Sequence, residues 1–557
     1  MLENINTQQD INKSLMNLPR EVSNKDITQI VLDEWRGSDP IKNMVEANAY
    51  YLVKNTSIKD KKRKYTDQSG ESRVNETLSN AQIPSAFLRN SVNQKVNYAF
   101  GKPFTINVEN VTLNEEQNKD DKIGEEYLKQ WQDYIDIDFR KALKHLAKNA
   151  INDGIGWVYV WIEADANASG TNASDGKLAM ASVDSETIYP QWKDRAHTKL
   201  ELIVRDYQVL DYEEDTKKIV NKVEYWDDKV VERFIDSGGE LEIDVQEEGL
   251  EELPLATAHM KTDDGQAVSW GRVPFLCLKG CEDELPLLNV MRSQVDAYDL
   301  LTSKTVDSLV DDIDPVIIFR NISPEIGALK TARELLLNSR IASVDEGGDA
   351  YYLQVKADIS ATQQKLEHLR KDIREFSATV DTQDVKMGSN PSGVALRAMY
   401  QDLDIYVDGL EVEFEVFMNN FKYFFDRWLE FKGIGTVEQW EQYRLIVTLD
   451  RDMMVNEESL IENTVKLMQT GLSQETLDIY NPAVESHEIE DARREAQFEK
   501  DMEKQQELAK MSEFAKFATA QNSAELNDKK KLQKETGSTP ETQEAAEPPE
   551  APATQDK

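Results

Sequence analysis

Apolar residues recur every three or four positions in three long stretches of the chain, which is the period of an amphipathic helix. The first stretch covers 287–313 and ends just before Pro315, the second covers 360–377, and the third covers 392–433. At 1.5 Å per residue the first helix would be about 40 Å long. The third is longer than an ordinary helix of about 8–20 residues, which predicts a kink near Gly409 or a helix that spans an assembly.

The segment before these helices shows a different pattern. β-branched and aromatic runs predict strands at 104–108, 157–162, 178–183, 200–207, 218–226 and 229–235, and helical spacing predicts helices at 27–35, 44–53, 86–100 and 138–152. We therefore predict a mixed and mostly antiparallel α+β region. The acidic stretch 240–253 is predicted to be a mobile edge of it.

A small α/β insert is predicted between the first two long helices. Its elements are a strand at 316–319, a helix at 324–338 and a strand pair around the turn at 346–348. The two helices then form a hairpin that carries a small knob. After the third helix we predict a strand at 443–449 and a charged helix over 457–510. The last residues, rich in Pro, Glu, Thr and Ala, are predicted to be disordered.

Charge narrows the classes of function. The 557 residues carry 65 basic and 104 acidic side chains, a formal net charge of −39. This balance argues against a general nucleic-acid binder, whose affinity comes from neutralising phosphates with lysine and arginine. Any DNA contact should be local or weak. The basic run 59–64 is predicted to be a solvated loop, with contact to a nucleic acid or an acidic subunit as the alternative.

Motifs for catalysis and membrane insertion are absent from the sequence. No apolar run approaches the roughly 18 residues of a membrane span, and the N-terminus does not resemble a signal peptide, so a soluble protein made in the cytoplasm is expected. Cys277 and Cys281 are expected to be reduced thiols, and no cofactor is expected. The cluster of Asp311, Asp312 and Asp314 could hold two divalent metals for phosphodiester hydrolysis, although such clusters arise by chance in a chain this acidic.

An aromatic stripe runs along the third helix. Its members are Phe414, Phe417, Phe421, Phe424 and Trp428. Aromatic side chains that stack on bases are usually combined with a basic groove, whereas these are interleaved with glutamates. Packing in a hydrophobic core is the favoured interpretation.

Four short segments carry a family resemblance through their order and spacing. They are NSVNQKVNYAFGKP at 90–103, RVPF at 272–275, VDAYD at 295–299 and the loop-to-helix junction NPSGVALR at 390–397. Together with the knobbed helix hairpin, they resemble the portal proteins of long-tailed double-stranded DNA bacteriophages. The residues Ser392, Gly393, Ala395 and Leu396 of the junction look like the Ser-Gly-x-Ala-Leu signature of this family. The resemblance covers residues from about 30 to 510.

The resemblance implies a structural protein rather than an enzyme. It implies a ring, twelve-membered in this family, at the unique vertex of the capsid. Double-stranded DNA would pass through it without sequence dependence during packaging and ejection. The expected partners are further copies of the chain, the packaging ATPase (large terminase), a head-tail adaptor protein, and the major capsid and scaffolding proteins, with no membrane. The expected location is the virion, after assembly in the host cytoplasm. Two alternatives stay open, a metal-dependent nuclease centred on the aspartate cluster and a capsid scaffold or adaptor that never contacts DNA.

The resemblance also implies a phage portal fold with a domain assignment. In order, the segments are an N-terminal arm (1–24), a mixed α/β wing (25–285), a stem helix (286–314), a small α/β clip (315–357), a second stem helix (358–380), a tunnel loop (381–391), the long kinked helix with a return strand of the wing (392–456), a helical crown (457–515) and a disordered acidic tail (516–557). The tunnel-loop residues expected to face DNA are Gln383, Asp384, Val385, Lys386, Met387, Gly388, Ser389 and Asn390. Stem cations expected either to contact phosphate or to pair across subunits are Arg292, Lys304, Lys365, Arg370 and Lys371.

Overall fold

The computed structural model describes most of the first 451 residues. The described ranges are 23–66, 70–74, 79–114, 118, 121–163, 176–213, 216–244, 257–261, 267–311, 316–320, 349–353, 359–381 and 393–451, with single helical positions between 466 and 504. The chain divides into two compact units, Met1–Met454 and Val455–Lys557. The description that follows concerns the first unit, and the predicted crown helix lies almost wholly outside the described residues.

Ten helices are described in this unit. They are α1 (Asn24–Trp35), α2 (Asp39–Tyr51), α3 (Thr56–Lys59), α4 (Phe87–Phe100), α5 (Lys122–Tyr134), α6 (Ile137–Asp153), α7 (Leu288–Asp311), α8 (Ile359–Phe376), α9 (Gly393–Phe431) and α10 (Val437–Trp440). The three long helices predicted from the sequence are confirmed as α7, α8 and α9. Helix α9 is unbroken from Gly393 to Phe431, and Gly409 lies within it.

The strands of the described residues pair with one another in antiparallel fashion. They are β1 (Lys64–Thr66), β2 (Ser72–Val74), β3 (Thr105–Asn110), β4 (Ile155–Glu163), β5 (Lys177–Val183), β6 (Ile188–Trp192), β7 (Leu200–Glu213), β8 (Thr216–Trp226), β9 (Val230–Asp236), β10 (Leu241–Ile243), β11 (Thr257–Ala258), β12 (Met260–Lys261), β13 (Ala267–Val268), β14 (Phe275–Lys279), β15 (Val316–Arg320), β16 (Asp349–Leu353) and β17 (Tyr443–Thr448). The predicted α+β class is therefore confirmed.

Three antiparallel sheets form the body of this unit. The largest has the order β10-β9-β8-β7-β6, with β11 also paired to β9, and the others are β14-β4-β5 and β17-β3. Two sequence predictions are corrected here. Strand β7 continues to Glu213 instead of ending at 207, because it pairs with β8 from Ile203 to Glu213. Leu241–Ile243, predicted to belong to a mobile edge, forms a regular edge strand on β9. The rest of that acidic stretch, from 245 to 253, lies outside the described residues.

Helix α9 is the centre of the larger hydrophobic core. Its aromatic stripe is buried, with Phe414, Phe417 and Phe421 fully inaccessible to solvent. Phe414 makes edge-to-face contact with Phe100 at a centroid distance of 5.2 Å, and Trp131 of α5 stacks on Phe425 at 3.9 Å. The prediction that this stripe packs in a core is confirmed. A second core lies between α1, α2 and the large sheet.

Helices α7 and α8 pack against each other, and strands β15 and β16, which lie between them in the sequence, pair with each other. Val295 of α7 and Leu369 and Ile373 of α8 are buried. The predicted strand at 316–319 is confirmed as β15, and its partner β16 is Asp349–Leu353. The predicted helix at 324–338 lies outside the described residues. No helix in the described ranges is long and apolar enough to cross a membrane.

Candidate functional site

The two arginines among the predicted stem cations are paired within their own chain. Arg292 of α7 lies 2.5 Å from the Glu46 carboxylate of α2 and 3.7 Å from Asp296, one helical turn further along. Arg370 of α8 lies 2.5 Å from Asp381. The sequence interpretation offered phosphate contact or pairing between subunits, and the structure adds this third arrangement. Both guanidinium groups already have local carboxylate partners.

The three lysines of the same set are placed differently. Lys304 of α7 and Lys365 and Lys371 of α8 are solvent-exposed. Within the described ranges their ammonium groups have neither an ion pair nor a hydrogen-bond partner. These side chains are therefore the stem cations that remain available for an anion, because a lysine that is not paired can neutralise a phosphate without breaking another contact.

Most of the other predicted site residues lie outside the residues that the structure describes. The tunnel-loop residues from Gln383 to Asn390, Ser392 of the junction, and Asp312 and Asp314 of the carboxylate cluster are not among the described residues. Gly393, Ala395 and Leu396 form the first turn of α9, as predicted for a loop-to-helix junction. Asp311 is the last residue of α7.

The chain segment that leads into the predicted tunnel loop is fixed to α4. The Gln94 amide donates to the Val380 carbonyl and accepts from its backbone N–H, both at 3.1 Å. Asp381 is held by Arg370, and the Ser91 hydroxyl lies 3.3 Å from that of Ser377. The position of the residues just before the loop is therefore set by several directional contacts to α4 and α8.

A ladder of hydrogen bonds on α7 was missed by the sequence analysis. Asp299, Ser303 and Asp307 are buried and accept from the backbone N–H groups of Ser85 at 2.9 Å, Ile83 at 3.1 Å and Ala81 at 2.6 Å, in that order. Four residues of helix rise about 6.0 Å, and two residues of an extended chain span about 6.6 Å. The side-chain oxygens of α7 thus accept hydrogen bonds from alternate backbone N–H groups of residues 81–85, as the carbonyls of a neighbouring strand would. The sequence feature that could have indicated this ladder is the spacing of four residues between the polar side chains Asp299, Ser303 and Asp307.

An ion pair closes one end of this ladder. Lys61 lies 2.6 Å from Asp307, and the two side chains are 11% and 5% exposed. Burial of Asp307 works to raise its pKa, but the hydrogen bonds from Lys61 and from the Ala81 N–H outweigh it and lower the pKa below its usual value. The prediction that the basic run 59–64 is a solvated loop is therefore wrong for Lys61. Its side chain is largely buried and forms an ion pair with Asp307 of α7.

At the other end of the ladder the Asp299 carboxylate is buried, and no lysine or arginine of the described ranges forms an ion pair with it. Asn55 donates to Asp299 at 2.5 Å, in addition to the bond from Ser85. Burial raises the pKa of Asp299 despite these two donors. Through both ends, the segments around 55–61 and 79–85 are tied to α7.

A second buried cation lies on α4. The Lys95 side chain is fully buried, and its ammonium nitrogen is 3.1 Å from the ring centroid of Tyr406 on α9. It has no hydrogen-bond partner in the described part of the chain. Burial lowers the pKa of Lys95 to about 7. The face of the tyrosine ring favours the protonated form through a cation–π interaction, which acts in the opposite direction.

The described residues give little support for metal or thiol chemistry. They contain no group of three or more His, Cys, Asp or Glu side chains that could hold a metal ion. Cys277 and Cys281 are free thiols, as expected. Burial raises the pKa of the Cys277 thiol to about 12, so this cysteine stays protonated and unreactive at neutral pH.

The α+β fold agrees with the family that the sequence motifs suggested. Residues 38–502 match the family model described as "Phage portal protein, SPP1 Gp6-like". The match covers most of the chain, and the chain belongs to this family of bacteriophage portal proteins. The family is structural rather than enzymatic, and its members are components of the virion.

Two curated relatives extend this comparison. The chain is 26% identical over 508 residues to the portal protein of Bacillus phage SPP1, a match that covers 90% of this chain and 92% of the relative. It is 25% identical over 428 residues to the portal protein of Clostridium phage phiCD119, a match that covers 75% of this chain and 84% of that relative. The similarity therefore extends over nearly the whole length of these relatives and is not confined to one module.

Proposed function

We propose that copies of this chain form a ring at the unique vertex of the capsid, through which double-stranded DNA passes during packaging and ejection. The observation that supports this most directly is the packed pair α7 and α8, which carries three exposed lysines without an ion pair in the described ranges, on an otherwise acidic chain. A conduit must let any sequence pass without holding it, so base readout would be a disadvantage. Excess negative charge repels phosphate, and a few cations keep the duplex centred.

In this proposal the domain assignment from the sequence is retained. Helices α7 and α8 are the stem, β15 and β16 belong to the clip, and the sheets with α4 to α6 form most of the wing. Residues 381–391 are the tunnel loop, with Lys386 facing the lumen. The anchoring of Val380 and Asp381 supports a loop whose base is fixed while its tip contacts DNA.

The clip is the proposed docking platform for other proteins. The large terminase would bind there during filling, and a head-tail adaptor would replace it afterwards. The capsid and scaffolding proteins would surround the wing. In this account the packaging energy comes entirely from the ATPase, and the portal chain contributes the channel and the docking surfaces.

Charge reversal at the stem lysines tests the DNA contact. In a packaging reaction, the triple variant Lys304→Glu, Lys365→Glu and Lys371→Glu is expected to form rings normally but to package at least tenfold less DNA, because each reversal places a carboxylate where a phosphate passes. The measurement is the amount of DNA protected from nuclease. Arg292 and Arg370 are left unchanged because their replacement would also break ion pairs within the chain.

A matched control makes the same change in net charge elsewhere. Lys25, Lys122 and Lys129 are exposed on α1 and α5, and the triple Glu variant at these positions is expected to package normally. Equal packaging by both triple variants would rule out a role of the stem lysines in DNA contact.

A further inference from the structure

The outward face of α6 is a basic surface on an acidic protein. Lys141 is exposed on it, Arg140 and Lys144 are half-buried beside it, and none of the three forms an ion pair within the described ranges. Ile137, at the start of the helix, is 73% exposed, and a hollow of about 310 Å³ lies between it, the three cations and Phe104. The one carboxylate on this part of the helix is Asp138. The surface combines an exposed apolar residue with a cationic rim.

The outward face of α9 has the opposite charge. Ile405, Val412 and Val416 are each more than half exposed and lie along a groove of about 1140 Å³. The carboxylates on either side of this apolar stripe are Asp402, Asp408, Glu413 and Glu415, and the sequence has no lysine or arginine from 398 to 421. Asp408 and Glu415 pair with Arg451 and Arg444. The other walls of the groove include Lys193, Lys199, Arg272 and Lys279, so the acidic surface is confined to the helix itself.

The two faces point away from each other across one core. Phe139, on the inner side of α6, lies 5.7 Å from Phe421 on the inner side of α9. At 100° per residue, Ile137 and Lys141 lie opposite Phe139, and Val412 and Val416 lie opposite the buried aromatic stripe. A single subunit therefore presents a basic apolar face on one side and an acidic apolar face on the other.

We propose that neighbouring copies of this chain associate head-to-tail, with the α6 face of one subunit against the α9 face of the next. The inference rests on the proposed ring, which requires two different faces on each subunit. An apolar centre with a charged rim is typical of protein interfaces. Contact between two α6 faces would place cations against cations. Copies that each carry a charge of −39 repel one another, so a contact that sets a cationic surface against an acidic one is favoured.

Paired cysteines test the geometry of this contact. The variants are Ile137→Cys, Val412→Cys and the double variant, each as the full chain under assembly conditions and treated with the thiol oxidant diamide. The double variant is expected to give a ladder of covalent multimers on denaturing gels, and a mixture of the two single variants is expected to give dimers. Each single variant and the parent chain, which retains Cys277 and Cys281, should stay monomeric.

The outcomes separate this contact from the proposed function. Rings of the double variant that do not cross-link, or cross-linking of a single variant with itself, would overturn the head-to-tail contact but leave the ring standing. Absence of any ring in the parent chain would overturn both.

A charge swap provides a second readout. The pair Lys141→Glu and Lys144→Glu is expected to reduce the assembled fraction at least tenfold, because acidic faces then oppose each other. Adding Asp402→Lys and Glu413→Lys should restore assembly. Failure of the four-fold variant to recover, while the exposed control pair Lys122→Glu and Lys129→Glu assembles normally, would count against the contact.

Discussion

Replacement of Asp307 by alanine is expected to lower the free energy of unfolding by about 3–5 kcal/mol, because it removes one partner of a buried ion pair. Lys61 would be left in a site where its side chain is only 11% exposed, and the Ala81 N–H, now 2.6 Å from the carboxylate, would lose its acceptor. Urea unfolding at one fixed protein concentration measures the effect, since stability of an oligomer depends on concentration.

Two further variants identify the source of this loss. Asp133→Ala removes an exposed aspartate from α5 and should change the free energy of unfolding by less than about 0.5 kcal/mol. Lys61→Met combined with Asp307→Leu removes both charges and should recover part of the stability. A loss in Asp307→Ala no larger than that of the control would show that the ladder contributes little to holding 79–85 on α7.

The Lys95→Met variant is expected to be more stable than the natural chain by about 2–4 kcal/mol at pH 7, because methionine fills the site without an ammonium to desolvate. The pKa of Lys95 is lowered by burial to about 7, whereas the unfolded chain keeps the ordinary value of about 10.5. Below pH 7 both states are protonated, and the full cost of the buried charge is present.

The lowered pKa of Lys95 also predicts the direction in which the stability of the natural chain changes with pH. Between pH 7 and about 10 the unfolded chain binds a proton that the folded chain has released, so the stability of the natural chain rises with pH in this window. Lys95→Met should lose that rise, and its advantage should shrink as pH increases. An exposed control, Lys129→Met, should leave both stability and slope unchanged. A destabilised variant would mean that the contact with Tyr406 outweighs desolvation.

The helices could be predicted because their periodicity is strong. The predicted limits of 287–313, 360–377 and 392–433 differ from α7, α8 and α9 by at most two residues at each end. The aromatic stripe of α9 was correctly interpreted as core because glutamates fill the positions between its members. In each case the prediction needs only the local sequence, because apolar residues recur at helical spacing on the buried face and polar residues occupy the opposite face.

The hydrogen-bond ladder could not be predicted in the same way. Its partners are more than 200 residues apart, and nothing in the segment 79–85 indicates that its N–H groups meet side chains of α7. The same holds for Lys61, whose neighbours in the sequence are all polar. Lys95 is a lysine on the buried side of an amphipathic helix, and its environment depends on Tyr406 of α9. Such tertiary pairings override local propensity.

Electron microscopy of the purified full chain, combined with native mass measurement, tests the central claim most directly. The account predicts closed rings of about twelve subunits with a central hole wide enough for a DNA duplex. A closed ring whose hole is too narrow for duplex DNA, or a compact dimer with two-fold symmetry, would contradict it.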